Sequence, residues 1–196
     1  FPKILFDIDI FPATSIQWHN NDCDRLLQKM ATDGRKTNKC HLTPTPSSQS
    51  SFRHCALWGD PHIRAFDGSV HACAEAGARP LIDNRYFLVQ VSSGRVREDS
   101  MVTAVSKVTL IVREHSCTTP KRYEAASETE HLPIAFVDGT TRSTVEDIRS
   151  VDITSHSSDH IEISLKHAAT TIHIRRRGPY LSVSITLPHH VLAQCL

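Results

Sequence analysis

The chain has six cysteines, Cys23, Cys40, Cys55, Cys73, Cys117 and Cys195, yet no Cys-x-x-C pair. Zinc ribbons and thioredoxin-like redox sites need two sulfurs about a turn apart, so this spacing argues against both. Thirteen histidines are scattered without a His-Glu-x-x-His or a His/Cys/Asp cluster, so no metal centre and no cofactor are expected. No Ser/His/Asp ordering and no glycine-rich phosphate loop occur, which leaves no machinery for turning over an external substrate; the protein is not expected to be an enzyme. No run of ~20 apolar residues could span a bilayer. No basic-then-apolar export signal precedes the body, and the sequence opens on Phe1 without a methionine, as a processed or partial chain would. None of Asn20, Asn21, Asn38 and Asn84 has a hydroxyl residue two positions on, so N-glycosylation is not expected. Charge of one sign is also lacking. With 22 Lys plus Arg against 21 Asp plus Glu, the net +1 sets up no field that would select nucleic acid or an anionic membrane.

What is present is a chain of 196 residues, enough for one good-sized domain with a small appendage. Residues 1–54 form that appendage. In "NDCDRLLQKMATDG", Asn21 or Asp22 is a plausible cap, Leu26, Leu27, Met30 and Ala31 share a helical face, and Gly34 follows the end. A Cys23–Cys40 bond would staple this short helix to its loop. The Pro/Ser/Thr stretch 41–51 reads as a linker.

From Cys55 to the end, at 196, the apolar period changes from 3.6 to 2. "HIEISLKH" sets Ile161, Ile163 and Leu165 against His160, Glu162, Ser164 and Lys166, and "YLSVSITLP" sets Leu181, Val183, Ile185 and Leu187 against Ser182, Ser184 and Thr186. Both predict half-buried strands. "SKVTLIV", "YFLVQV" and "TTIHI" add three more, and turns are expected at Asp67-Gly68, Ser93-Gly94, Asp138-Gly139 and Gly178-Pro179. Strands at this spacing without long helices between them predict an all-β fold, an antiparallel sandwich or barrel, with the short helical segment at its N-terminus. After Pro188, "HHVLAQC" fits a helical turn or two.

The most chemically loaded stretch is "CALWGDPHIRAFDG", Cys55 to Gly68. An Asp-Pro bond is unusually fragile: proline nitrogen is a basic leaving group, and the aspartate carboxyl can reach its own carbonyl carbon. Attack there forms a five-membered cyclic anhydride and releases an N-terminal proline, which is intramolecular nucleophilic catalysis. Asp60 is the candidate nucleophile and the Asp60–Pro61 bond the candidate scissile bond. His62, whose unperturbed pKa of ~6.5 lets it carry a proton in mildly acidic surroundings, is the candidate donor to the departing nitrogen. An ordinary turn before a strand is the bland reading of a bare Gly-Asp-Pro.

The wider pattern shifts that balance. The order Cys55, Gly59-Asp60-Pro61-His62, Phe66-Asp67-Gly68 resembles the start of von Willebrand factor type D domains. Downstream, "HACAEAG", "ARPLIDNRYFLVQV", "TAVSKVTLIV", "EHLPIAFVDG" and "TTIHIRRRGPYLSVSITLP" resemble, block after block, the repulsive guidance molecule family, which includes hemojuvelin, over about Cys55 to Pro188. The divergence is of an invertebrate-like kind.

The resemblance implies a von Willebrand type D-like β domain over 55–196 and autoproteolysis between Asp60 and Pro61. It also implies disulfides Cys55–Cys117 and Cys73–Cys195, the first of which would tie the two halves together. It further implies an extracellular protein held at the cell surface by a glycosylphosphatidylinositol tail, whose signal is not in this chain. Implied partners are the fibronectin type III domains of neogenin-like receptors and bone morphogenetic proteins, for which the family acts as co-receptor. In relatives a disulfide-rich helical domain binds the growth factor; here 1–54 offers one helix, two cysteines and no Arg-Gly-Asp.

The basic run "HIRRRG", 173–178, could meet sulfated glycan, although such a run is more often a solvated edge. Two rival readings are a structural matrix module of the type D kind, which would normally carry more cysteine, and a hydrolase using Asp60 and His62, which lacks a third orienting group.

Overall fold

Among the described residues, the stretches of alternating apolar residues become one face of a strand. In the computed structural model, which describes residues 51–193 apart from 60, 74, 97–101 and 146–147, these strands run antiparallel in two sheets. The helix expected within 21–34, the Cys23–Cys40 staple, Asp60 and Cys195 lie outside the described residues. The strands are β1 (Phe52–Trp58), β2 (His62–Arg64), β3 (Val70–Ala72), β4 (Gly77–Asp83), β5 (Phe87–Arg95) and β6 (Thr103–Val112). They continue as β7 (Lys121–Ala126), β8 (Arg142–Val145), β9 (Ile148–Ser157), β10 (His160–Leu165), β11 (Thr170–Arg177) and β12 (Tyr180–Pro188), before a short α1 (His189–Ala193). Eight strands form one sheet in the order β3-β2-β1-β12-β11-β10-β9-β8, and four form the other in the order β4-β5-β6-β7. The all-β antiparallel expectation therefore holds, and α1 is the turn of helix expected after Pro188.

The core lies between the sheets, with β12 packed on β6. Ile161, Ile163 and Leu165 from β10, Ile172 and Ile174 from β11 and Ile185 from β12 face Val105, Val108, Leu110, Phe87 and Tyr123 in one continuous buried cluster. Each such side chain contributes about 1.5–3 kcal/mol by leaving water. Register is thus set by period-two alternation, because a one-residue slip would turn every one of these side chains outward.

Three local expectations meet different outcomes. Gly178-Pro179 is a two-residue hairpin joining Arg177 to Tyr180, with Gly178 at φ 57. A glycine with positive φ at the first central position is the type II′ pattern, and proline's ring-fixed φ suits the second. Asp138-Gly139 also turns: the Asp138 carboxylate accepts from the Thr140 N–H at 3.0 Å and from Lys121 Nζ at 2.7 Å. Ser93-Gly94, by contrast, is not a turn. Both residues lie inside β5, where pairing continues through a register shift after Ser92 to Arg95 opposite Thr103. A bulge absorbs the local irregularity there, so the long hairpin continues past the glycine.

"HIEISLKH" is also shorter as a strand than its alternation suggests. Lys166–Ala168 forms a 3-10 turn closed by Ala169 at φ 46, whose N–H donates to the Lys166 carbonyl at 3.2 Å. His167 is thereby turned into the interior, 1% exposed, against the rings of Tyr86 and His115. Burial pushes its pKa down to about 4, with the Ser150 carbonyl bond pulling the other way.

Candidate functional site

The Gly59-Asp60-Pro61 stretch is the connection of a tight hairpin, β1 to β2, closed by the pairing of Trp58 with His62. Gly59 sits at φ 64, a conformation that costs residues with a Cβ. The rings of Trp58 and His62 stack 6.1 Å apart at 23°, one on each side of the connection. The His62 ring also lies over Gly59: a Cβ added at Gly59 would stand 4.0 Å from His62 Nδ1. Trp58 and His62, at the two ends of the connection, are therefore in contact, and the imidazole is held beside Gly59.

Pro61 is buried, and its carbonyl accepts from the Cys73 N–H at 2.7 Å. Pro61 also lines a cavity of about 20 Å³, room for a water-sized guest, with Leu57, Ile63, Cys73, Glu75 and Arg79 among its walls. Glu75 and Arg79 form an ion pair there. The remainder of the motif is structural. Phe66 enters the core at 8% exposed, Asp67 accepts the Ser69 N–H at 2.9 Å, and the Ala65 N–H donates to the Ser69 carbonyl at 2.8 Å across the Asp67-Gly68 turn. The bonds from Ser69 hold the Asp67 carboxyl below its usual range.

Cys55 departs from the expected bridge. It carries a free thiol, 1% exposed, in mid-β1 opposite Ile185, and burial raises its pKa. Cys117, fully buried, and Cys73 are both disulfide-bonded. The Cys55–Cys117 pairing is not formed, and the sheet order supplies the reason. Next to Cys117, Thr118 donates to Ser143 Oγ of β8 at 3.0 Å. β8 lies five strand positions from β1, about 24 Å along the sheet at ~4.8 Å per strand, whereas a disulfide spans a Cα separation of about 7 Å at most. Cys73 is bonded as expected, while its expected partner Cys195 lies outside the described residues, as do Cys23 and Cys40.

Sequence reasoning placed His62 at the turn but missed the Trp58 stack, the Cys73 N–H on Pro61, and the Glu75/Arg79 wall. The Trp58 contact had a signal: residues 58 and 62 flank a three-residue connection and so must pair across it. The other contacts had none, since β3 and β4 reach the turn only through tertiary folding.

Comparison with known proteins bears on what this turn belongs to. Residues 51–195 match the profile of the repulsive guidance molecule (RGM) C-terminal domain. The chain belongs to the repulsive guidance molecule family. It is similar to repulsive guidance molecule B homolog drag-1 of Caenorhabditis elegans, 49% identical over 158 residues that make up 81% of this chain and 38% of that protein. To human repulsive guidance molecule B it is 41% identical over 140 residues, 70% of this chain and 32% of that protein. To mouse hemojuvelin it is 37% identical over 143 residues, 71% and 34%. The chain thus spans roughly a third of the length of the repulsive guidance molecule relatives it matches. Its matched part includes every described strand and the Gly59-to-His62 turn.

Proposed function

We propose that this chain is part of an extracellular signalling protein of the repulsive guidance molecule type, cut by its own Asp60 at the Asp60–Pro61 bond. In this reading the Asp60 side-chain carboxylate attacks its own backbone carbonyl carbon, the C–N bond to Pro61 breaks, and the nitrogen takes a proton from the His62 imidazolium or from water. One water then opens the anhydride, leaving Asp60 with two free carboxylates and Pro61 with a free secondary amine. Positioning within one turn supplies the rate, as in other intramolecular reactions. The cavity beside Pro61 could admit the water. Turnover is single, so the protein is no enzyme in the ordinary sense.

The observation that carries this reading is the position of β1. It is the last element before the cut and lies between two strands after it, paired with β2 through Ala56, Leu57 and Trp58 and with β12 from Phe52 to Leu57. Removing it would open the larger sheet and expose Cys55, Ala56 and Leu57. A cut chain therefore stays assembled by strand pairing, even with Cys55 a free thiol. The disulfides at Cys73 and Cys117 fit an oxidising, extracellular compartment, and a bond from either to a cysteine ahead of Pro61 would add a covalent tie. Kinship with type D domains belongs to the same proposal.

As partners we propose the fibronectin type III domains of neogenin-like receptors, engaged by the β domain. A co-receptor role for bone morphogenetic proteins would belong to the whole cell-surface protein. Intact and reduced mass spectrometry of secreted material tests the first step: two fragments meeting at 60/61 are expected in wild type and one intact chain in Asp60→Asn. A wild type that stays whole sinks the cleavage. Retention on immobilised neogenin fibronectin domains tests the second, and its absence would favour a matrix module instead.

A further inference from the structure

The inner face of the eight-stranded sheet is the core; its outer face is of a different nature. Of the three consecutive arginines in "HIRRRG", only Arg176 turns away, donating to Asp159 at 2.6 Å and to the Thr129 carbonyl. Alternation puts His173, Arg175 and Arg177 on the outer face of β11. Neighbouring strands add side chains to the same face. Register sets His160 opposite Arg175, Glu162 opposite His173, Arg64 opposite Ala56, and His62 opposite Trp58. His54 adds its ring through Thr186 Oγ1 at 3.2 Å.

The histidines converge. His160 Nε2 stands 3.1 Å from His173 Nδ1, the rings of His156 and His160 stack at 4.6 Å, and His156 Nε2 is 2.8 Å from Glu162 Oε2. The groups facing this cluster are Arg64 and His62 from β2, His54 from β1, Tyr180 from β12, Arg175 and Arg177 from β11, Glu162 from β10 and His156 from β9. Among the described groups facing the cluster, three guanidiniums against one carboxylate give a net +2 when the histidines are neutral, and five imidazoles can raise it to +7. Among the described residues no group of three or more His, Cys, Asp or Glu can hold a metal ion, which removes coordination as the reason for the cluster.

We propose that this face docks a polysulfated polysaccharide and holds it more tightly in mildly acidic solution. The chemistry fits that class. The surface is an array of point cations over six adjacent strands, about 24 Å across at ~4.8 Å per strand, interleaved with the hydroxyls of Ser182, Ser184 and Thr186. An extended chain of sulfates meets such an array along its length. A lipid surface would need more exposed apolar wedges than Phe52, and single-stranded nucleic acid would need a run of stacking aromatics; among the described residues this face offers Trp58, Tyr180 and Phe52, with Phe52 and Trp58 at opposite ends of β1.

The acid dependence follows from the guanidiniums set beside partly buried imidazoles. Burial and then Arg175 push His160 down to about 4, and burial, Arg175 and neighbouring imidazoles lower His173. Burial and Arg64 lower His54. His54, His160 and His173 thus resist protonation on the empty face, and sulfates set against Arg64 and Arg175 remove the guanidiniums' share of that resistance, which is second to burial. Binding then takes up protons, and by linkage it strengthens as pH falls. The inference does not rest on self-cleavage.

The test is binding of the whole chain to immobilised heparin at pH 7.4 and 5.5, with desulfated heparin and single-stranded DNA as competitors and a thermal melt of every variant. Wild type is expected to bind at both pH values, at least ten-fold more tightly at pH 5.5, with neither desulfated heparin nor DNA competing effectively. Arg175→Ala with Arg177→Ala should lose most retention at both. His156→Gln, His160→Gln and His173→Gln together should keep the pH 7.4 affinity and lose the acid gain. The proposal is overturned if heparin fails to bind wild type, if DNA or desulfated heparin competes equally, or if the acid gain survives the triple variant.

Discussion

Two hairpin turns in this domain begin alike and end differently. Both open on a glycine in left-handed conformation, Gly59 at φ 64 and Gly178 at φ 57, and both contain a proline. The β11–β12 turn has two exposed residues, Gly178 and Pro179, and no side chain over it. The β1–β2 turn holds one residue more, Asp60, between glycine and proline. It buries Pro61, ties the Pro61 carbonyl to Cys73, and is flanked by the stacked Trp58 and His62. Backbone geometry alone therefore makes an inert reversal. The proposed chemistry requires an added carboxyl together with surroundings that hold the proline in place and set an imidazole beside it.

The sharpest way to break this comparison is to move the carboxyl. Asp60→Asn should abolish fragment formation entirely, and inserting Asp between Gly178 and Pro179 should create no new cut, both read by reducing gels and intact mass. A cut at the engineered exposed turn would mean that Gly-Asp-Pro suffices and the surroundings are irrelevant. Next in size, His62→Gln should slow the first-order appearance of fragments by about 10²–10⁴-fold, the range of a positioned proton donor. An unchanged rate would assign that proton to water.

The scaffold beneath the turn gives smaller effects. Leu57, 2% exposed in β1, should cost about 2–5 kcal/mol of unfolding free energy when cut to alanine in an uncleaved Asp60→Asn background, measured by denaturant melts. Acid gives a comparable effect through His167. Its folded pKa of about 4 lies below its unfolded value, so the unfolded chain binds more protons between roughly pH 6.5 and 4, and stability falls as pH drops through that window. The loss should be on the order of a few kcal/mol and should flatten in His167→Gln. Smallest of all, Gly59→Ala and Gly178→Ala should each cost about 1–2 kcal/mol from backbone strain, yet only the first should alter cleavage. Equal effects of both on cleavage would erase the distinction between the turns.

Much of the fold was legible. The alternation in "YLSVSITLP" returned β12 from Tyr180 to Pro188, and Gly178-Pro179 and Asp138-Gly139 returned as turns. Ser93-Gly94 did not, because a bulge within a long hairpin looks locally like a turn and only the pairing to β6 distinguishes them. At the site, the residues of the turn proposed to be cut and the neighbouring His62 were legible as chemistry, whereas Trp58, Glu75 and Arg79 acquire their places from strand packing. The family's Cys55–Cys117 tie was read from pattern and fails on distance across the sheet.

By itself the sequence determined the period-two strands, the positive-φ glycines and the fragile Asp-Pro bond, because each depends on covalent geometry and on neighbours two or three residues away. Only the tertiary structure decided that Cys55 stays reduced, that β1 is wedged between β2 and β12, and that His54, His156, His160 and His173 share one surface. Those outcomes depend on which strands lie side by side, and that order comes from burying one common apolar face, to which no single segment contributes enough to reveal it.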